Sequence, residues 1–275
     1  MSIGRLSAAL LLFAAIFLGS GSARAQRAAG SESNIDPLFL IDTPVAGMLP
    51  TTAGSADLYI YPDGGVIASV VYAPLHNMNV GISYGGTRII GSGGIFWNPL
   101  PGLMVRYRVL EENVRYPAIV AGFDSQGFDG WNEIWRQYTV KSPGFFVAAS
   151  KNYSLYGMLS FHGGLNYTIE RRDADFSPNM WVGVEKSVGS VVSLLAEYDF
   201  AFDNDRGHKG FWNGTLNAGV RVSTHIGLNL DLYFKNLTTS PVYGTPKEVP
   251  APGLPPIINN SGVIRALRVQ YVRYL

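Results

Sequence analysis

The sequence predicts an all-β chain, folded as a single transmembrane antiparallel β-barrel of about twelve strands behind a cleaved signal peptide. Three observations predict it. Apolar and polar residues alternate with a period of two over long segments, short and long connections alternate along the chain, and the N-terminus reads as an export signal.

The clearest alternation is LYGMLSFHGGLNYTIE, residues 155–170. Leu159, Phe161, Leu165, Tyr167 and Ile169 share one face with Gly163, while Ser160, His162, Gly164, Asn166 and Thr168 take the other. Successive side chains of a strand point to opposite faces, so this pattern is a strand. Its length exceeds the roughly 5–6 residues of a common strand and suits the about 9–11 needed to cross a bilayer at a tilt. One face then meets lipid and the other a polar lumen.

At the start of the chain, Arg5 supplies a positive charge and residues 6–18 (LSAALLLFAAIFL) an apolar stretch. Ala23-Arg24-Ala25 completes a cleavage pattern, which predicts removal of residues 1–25 before Gln26. The apolar run is shorter than the roughly 20 residues of a spanning helix. No long apolar run follows it, which argues against a helical membrane protein.

Composition points the same way. Charged residues make up 15% of the chain, below the about 25% of ordinary soluble domains. With no cysteine there is no disulfide framework, thiolate metal site or cysteine nucleophile. A net charge of +1 gives no reason to expect nucleic acid as a partner.

Residues 26–55 are expected to form a periplasmic N-terminal arm ahead of the barrel, 56–275. Within the arm, LFLIDTPVAGMLP (38–50) is apolar and broken by Pro44 and Pro50, and reads as an edge strand or a segment tucked into the barrel mouth. Strands are predicted near 56–61, 65–73, 78–90, 102–110, 117–124, 137–151, 155–169, 180–187, 190–202, 213–223, 226–236 and 262–274. Connections near 74–77, 111–116, 152–154, 188–189 and 224–225 are short; those at 91–101, 125–136, 170–179, 203–212 and 237–261 are long. Bacterial outer-membrane barrels alternate in this way, with short periplasmic turns and longer outer loops. The tight Pro62–Gly65 turn breaks the rule, falling where a long loop was due.

Twelve residues are candidates to line the lumen: Arg106, Arg108, Ser160, His162, Asn166, Glu185, Glu197, Asp199, Arg221, Asp231, Lys235 and Arg268. They sit on the polar faces of alternating strands, as Asn229, Asp231 and Lys235 do opposite Leu228, Leu230 and Leu232. Such charges either neutralise one another inside a filled lumen or line a narrow polar channel and select solutes. Trp97, Tyr116, Trp131, Trp135, Tyr138, Tyr153, Tyr156, Trp181, Trp212, Tyr271 and Tyr274 fall near strand ends, where interfacial aromatic girdles belong. The chain ends on a strand, with Arg273 on the lipid-facing parity, where it can snorkel to the rim.

No catalytic, cofactor-binding or metal residue is assigned. His76, His162, His208 and His225 lack ligand spacing. Ser160 and His162, with Glu185 or Glu197 across the barrel, supply the residue types of a serine hydrolase, without evidence of its geometry. The glycine-rich pieces at 85–86 and 91–94 read as turns or strand kinks, since no phosphate-loop lysine follows them.

Three segments resemble the YjbH-like family of outer-membrane β-barrel proteins: LIDTPVAGMLP (40–50), NPLPGLMVRYRVLEENVRYPAIVAGFDSQGFDG (98–130) and GFFVAASKNYSLYGMLSFHGGLNY (144–167). The shared features are a strand carrying PAI-x-x-GF-D, a glycine-rich outer loop and a strand containing VAASK, over about half of the mature chain. The resemblance implies an outer-membrane location and a tie to exopolysaccharide, and transfers no catalytic residue. The expected function is therefore a non-enzymatic outer-membrane barrel, either a narrow pore or an accessory barrel for surface-polysaccharide export. Its expected partners are outer-membrane lipid and lipopolysaccharide, the barrel-assembly machinery and polysaccharide. An outer-membrane lipase or deacylase, and a soluble periplasmic β-protein that binds a partner, remain the alternatives.

Overall fold

The computed structural model describes residues 36–204, 214–238 and 262–274. The predicted signal peptide, the first part of the predicted arm, His208 and Trp212 lie outside the described residues.

The alternating segments form strands where the pattern places them. The first half of the chain supplies β1 (Ala53–Tyr61), β2 (Gly65–Leu75), β3 (Met78–Thr87), β4 (Phe96–Trp97), β5 (Gly102–Leu110), β6 (Ala118–Asp124), β7 (Phe128–Asn132) and β8 (Gln137–Val140). The second half supplies β9 (Gly144–Ser154), β10 (Met158–Tyr167), β11 (Asn179–Val188), β12 (Val192–Asp199), β13 (Thr215–Ser223), β14 (Leu228–Lys235) and β15 (Ile264–Tyr274). Every pairing is antiparallel, and β1 pairs with β15, with Leu58 opposite Val269, so the sheet closes on itself. Twelve strands make the ring. The two-residue β4 pairs beside β3, and β7 with β8 forms a separate hairpin in the connection between β6 and β9.

That hairpin corrects one predicted strand. The alternation of 137–151 continues across Pro143, but the backbone does not. Residues Gln137–Val140 belong to the long loop, and the barrel strand starts at Gly144, whose φ of 61° turns the chain. The short-loop and long-loop sets otherwise fall at opposite ends of the barrel. The misfit turn at 62–64 lies at the long-loop end, where the next connection folds over it: Arg88 N–H donates to the Asp63 carbonyl at 3.1 Å and Ile90 N–H to that of Gly64 at 2.9 Å.

The outer wall is apolar. Leu58, Val70, Ile82, Leu103, Val147, Leu165, Leu194 and Leu232 are exposed along the middle of their strands. Exposed aromatics flank this band, with Tyr107, Tyr116, Tyr156, Tyr271 and Tyr274 toward the short turns. At the other end lie Phe145, Tyr167 and the Tyr84–Trp97 stack, whose centroids are 5.7 Å apart. Trp181 and Tyr138 depart from the girdle expectation and point inward, 1% and 4% exposed. The interior is the polar side: Arg106, Lys151, Glu185, Glu197 and Lys235 are among the largest fully buried side chains.

What fills that interior is the N-terminal segment. Residues 36–50 run inside the ring as a hairpin, closed by Leu40 N–H to the Thr43 carbonyl at 3.0 Å and Val45 N–H to the Leu38 carbonyl at 3.1 Å. Of the two readings of residues 38–50, the tucked segment is the one observed, and the last part of the arm lies within the ring: Leu38, Leu40, Ile41, Val45, Ala46 and Leu49 are 3% exposed or less. The physical reason is volume. Glycines on the wall leave room for the segment's apolar side chains, and a Cβ on Gly183 would lie 2.2 Å from Leu40 Cδ2. The two legs of the hairpin also touch, since a Cβ on Gly47 would lie 1.9 Å from the Pro37 carbonyl oxygen.

Candidate functional site

The lumen is the site that the sequence singled out, and its chemistry is that of a seated plug. At the hairpin tip the backbone N–H groups of Ile41, Asp42 and Thr43 all converge on the Glu197 carboxylate of β12, at 3.0, 3.2 and 3.1 Å. The Thr43 hydroxyl adds a fourth bond at 2.7 Å, and the Asn217 amide a fifth at 3.1 Å. The carboxylate is buried among five protein donors, and charge-assisted bonds of this kind are worth about 1.5–3 kcal/mol each.

The plug's carbonyls face arginines. Arg106 of β5 donates to the Leu38 carbonyl at 2.7 Å and to that of Val45; Arg108 donates to the Ala46 carbonyl at 2.7 Å. From β13, Arg221 reaches the Phe39 and Leu40 carbonyls at 3.1 and 3.2 Å. From β15, Arg268 reaches the Ile41 carbonyl at 3.2 Å. A guanidinium with several donors suits this work, because it can satisfy a plug carbonyl and a wall carboxylate together. Arg221 does both: it bonds Asp231 at 2.9 Å and Glu185 at 3.2 Å.

Lys235 of β14 joins three parts of the molecule. Its ammonium lies 2.7 Å from Asp42 of the plug, 3.0 Å from the Tyr59 hydroxyl of β1, and in contact with Asp129 of the β7–β8 hairpin. The same hairpin packs Phe128 edge-on against Phe39 of the plug, with centroids 5.7 Å apart. The guanidinium of Arg268 sits within 5.2–5.7 Å of the rings of Phe39, Tyr59, Phe128 and Tyr233. Plug, wall and outer hairpin thus share one aromatic and cationic centre, as cation–π geometry favours.

Eleven of the twelve candidates are buried within the ring: Arg106, Arg108, Ser160, His162, Asn166, Glu185, Glu197, Arg221, Asp231, Lys235 and Arg268. Asp199 is half-buried and accepts a bond from Asn179 at 2.7 Å. With Asn166, Lys141 and Trp181 it lines a small cavity of about 30 Å³ near the plug tip. The structure does not join Ser160 to His162. Ser160 Oγ donates to Asn152, while His162 Nδ1 lies 2.8 Å from Ser150 Oγ, which accepts the Ala46 N–H at 2.9 Å. The charged residues that were candidates for a water-lined selectivity ring turn instead to the plug and to one another, and the ion pairs between Arg221, Asp231 and Glu185 are desolvated.

Sequence reasoning missed the other half of this contact. Asn79 of β3, which accepts the Leu49 N–H at 2.9 Å, stood on the polar parity of its strand and was legible there. Asp42 and Thr43 carried a signal too, as two polar residues inside an otherwise apolar run. Comparison with family models and with curated proteins finds no match.

Proposed function

We propose that this chain is a non-enzymatic outer-membrane β-barrel protein whose lumen is kept shut to dissolved solutes by its own N-terminal hairpin. The observation that carries the reading is the inverted polarity of the wall, with large apolar side chains outside and buried charges inside. A water-soluble protein does not expose an apolar belt of this extent, and a hydrocarbon surrounding makes it favourable. Twelve strands of 8–11 residues in all but β6 supply the span.

The plug favours an accessory barrel over an open pore. Its likeness to the YjbH-like segments ties that role to surface polysaccharide, either as a closed companion of an exporter or as a barrel opened when the hairpin leaves. Membrane fractionation tests the location: the mature protein is expected in the outer membrane, with heat-modifiable migration on a gel. Recovery from the soluble periplasm would overturn the reading.

A further inference from the structure

The long connection between β10 and β11 sorts its charges. In Glu170-Arg171-Arg172-Asp173-Ala174-Asp175 the acids turn to partners within the protein. Glu170 is buried and accepts the Tyr138 and Ser142 N–H groups at 2.8 and 2.9 Å. Asp173 pairs with Lys141 at 2.6 Å, and Asp175 accepts the Ser177 N–H at 3.0 Å. Among the described residues, no carboxylate forms an ion pair with Arg171 or with the exposed Arg172.

Arg171 is held on the outside of the ring. Its Cζ lies 3.9 Å from the centroid of the Tyr167 ring and 5.9 Å from that of Phe176. Both rings are exposed, Tyr167 on the outer face of β10. Nε of Arg171 donates to the Thr168 carbonyl at 2.9 Å. The rings and that one bond hold the guanidinium in place, and its terminal N–H groups are left for a ligand.

Below it the wall suits an acyl chain. The register sets Phe145 of β9 beside Tyr167, and Phe123 of β6 beside Phe145, with centroids 5.0 Å apart. The exposed pair Leu165 and Val147 continues this surface toward the middle of the barrel. From the rim inward the order is cation, aromatic row, aliphatic wall, which is the order of phosphate, interface and hydrocarbon in a lipid leaflet.

We propose that Arg171, assisted by Arg172, is the docking site for a phosphate of an outer-leaflet glycolipid whose acyl chains lie along the Phe123–Phe145–Tyr167 row. A guanidinium fork matches phosphate bidentately. Long loops mark the outer side of bacterial barrels, so the lipid is phosphorylated lipopolysaccharide. The inference rests on the outer-membrane reading, deepens it by placing its lipid, and can fail separately from it.

Lipid retention by the refolded full-length barrel in detergent, read by native mass spectrometry, tests the site. Diphosphorylated lipid A is expected to stay bound to the wild type. Its retention should fall about tenfold in Arg171→Gln, the factor for one charge-assisted hydrogen bond, and severalfold in Tyr167→Leu. Arg265→Gln removes an exposed charge at the same end of the barrel, five strands away on β15, and should change nothing. Lipid A stripped of its phosphates should be lost, and inorganic phosphate should not displace the intact lipid. Equal losses in Arg171→Gln and Arg265→Gln, or equal retention of the stripped lipid, overturn the site. Displacement by inorganic phosphate would leave a free-anion site and overturn the lipid assignment. If Arg171→Gln does not fold, the stripped lipid on the wild type decides. A heat-modifiable barrel that retains no lipid A overturns the site and leaves the membrane assignment standing; recovery of the protein in the soluble periplasm overturns both.

Discussion

Thr43 and Glu197 lie 154 residues apart in the chain, yet the Thr43 hydroxyl donates to Glu197 Oε2 at 2.7 Å, beside three backbone N–H groups that converge on the same carboxylate. Glu197→Ala strands all of these donors in a water-poor interior. The expected outcome is a loss of about 3–5 kcal/mol, the cost of breaking a buried charged network. Glu197→Gln keeps an acceptor oxygen and is expected to lose less than half as much. The midpoint of heat-modifiable migration measures both, and an unchanged midpoint in Glu197→Ala would show that the plug is not seated on this residue.

Lys235 offers a test of coupling between the plug and the outer hairpin. Lys235→Met leaves Asp42 and Asp129 buried beside each other without a counter-charge. A fall of roughly 3–5 kcal/mol is expected from the uncompensated pair. Adding Asp42→Asn and Asp129→Asn to Lys235→Met should recover most of it, because the triple variant buries no charge at this point. A triple variant no more stable than Lys235→Met would mean that packing rather than charge makes the contribution.

The two faces of β10 are separable by adjacent substitutions. Leu165 is 60% exposed on the outer wall, whereas Asn166 faces inward and donates to the Pro143 carbonyl at 3.0 Å. Leu165→Arg is expected to cost about 2–4 kcal/mol and to impair assembly in lipid. Asn166→Ser removes one hydrogen bond and should cost about 1 kcal/mol. Urea titration in lipid vesicles distinguishes them; the reverse order would invert the face assignment.

Outside the strands, Glu170 makes the long-loop end sensitive to pH. Its carboxyl accepts the Ser142 N–H at 2.9 Å and the Tyr138 N–H at 2.8 Å, and burial pushes its pKa up to about 7 in spite of those donors and the Lys141 charge. Asp203, raised by burial and by Asp199, acts with the same sign. A carboxyl with a folded pKa above its ordinary 4.5 favours the fold when protonated, so its stabilisation is complete below about 4.5 and is lost as the pH rises through about 7. Hydrogen exchange at the Tyr138 amide should therefore be faster at pH 8 than at pH 5 after correction for intrinsic rates. Glu170→Gln should flatten that difference, and an unchanged slope in the variant would assign it elsewhere.

The barrel was legible because its signal is local. Each strand carries its own alternation, and Leu165 against Asn166 suffices to orient β10. The plug was legible only as one of two readings, an edge strand or a segment tucked into the barrel mouth, because its partners are remote: the run LFLIDTPVAGMLP satisfies its backbone through Arg106, Glu197, Arg221 and Arg268 rather than through neighbours in sequence. For the same reason the twelve candidates could be placed on the polar face while two readings stayed open, charges that neutralise one another in a filled lumen or charges that line a channel; most of the charged ones meet the plug and one another. Nothing in the parity of Glu197 distinguishes a carboxylate facing water from one facing three N–H groups. The β7–β8 hairpin was hidden differently, since alternation passes through Pro143 while the sheet does not.

The hairpin joins β1 through Pro50–Thr52, where Ala53 N–H bonds the Pro50 carbonyl at 3.0 Å, and β1 is the strand that meets β15 when the ring closes. Both legs of the hairpin reach the same rim, so the segment need not be threaded through a finished cylinder. The curling sheet can wrap around it, with β1 as the hinge, and the β1–β15 seam then locks a cargo already in place. A chain with residues 36–50 removed would have to close on an empty, charged interior.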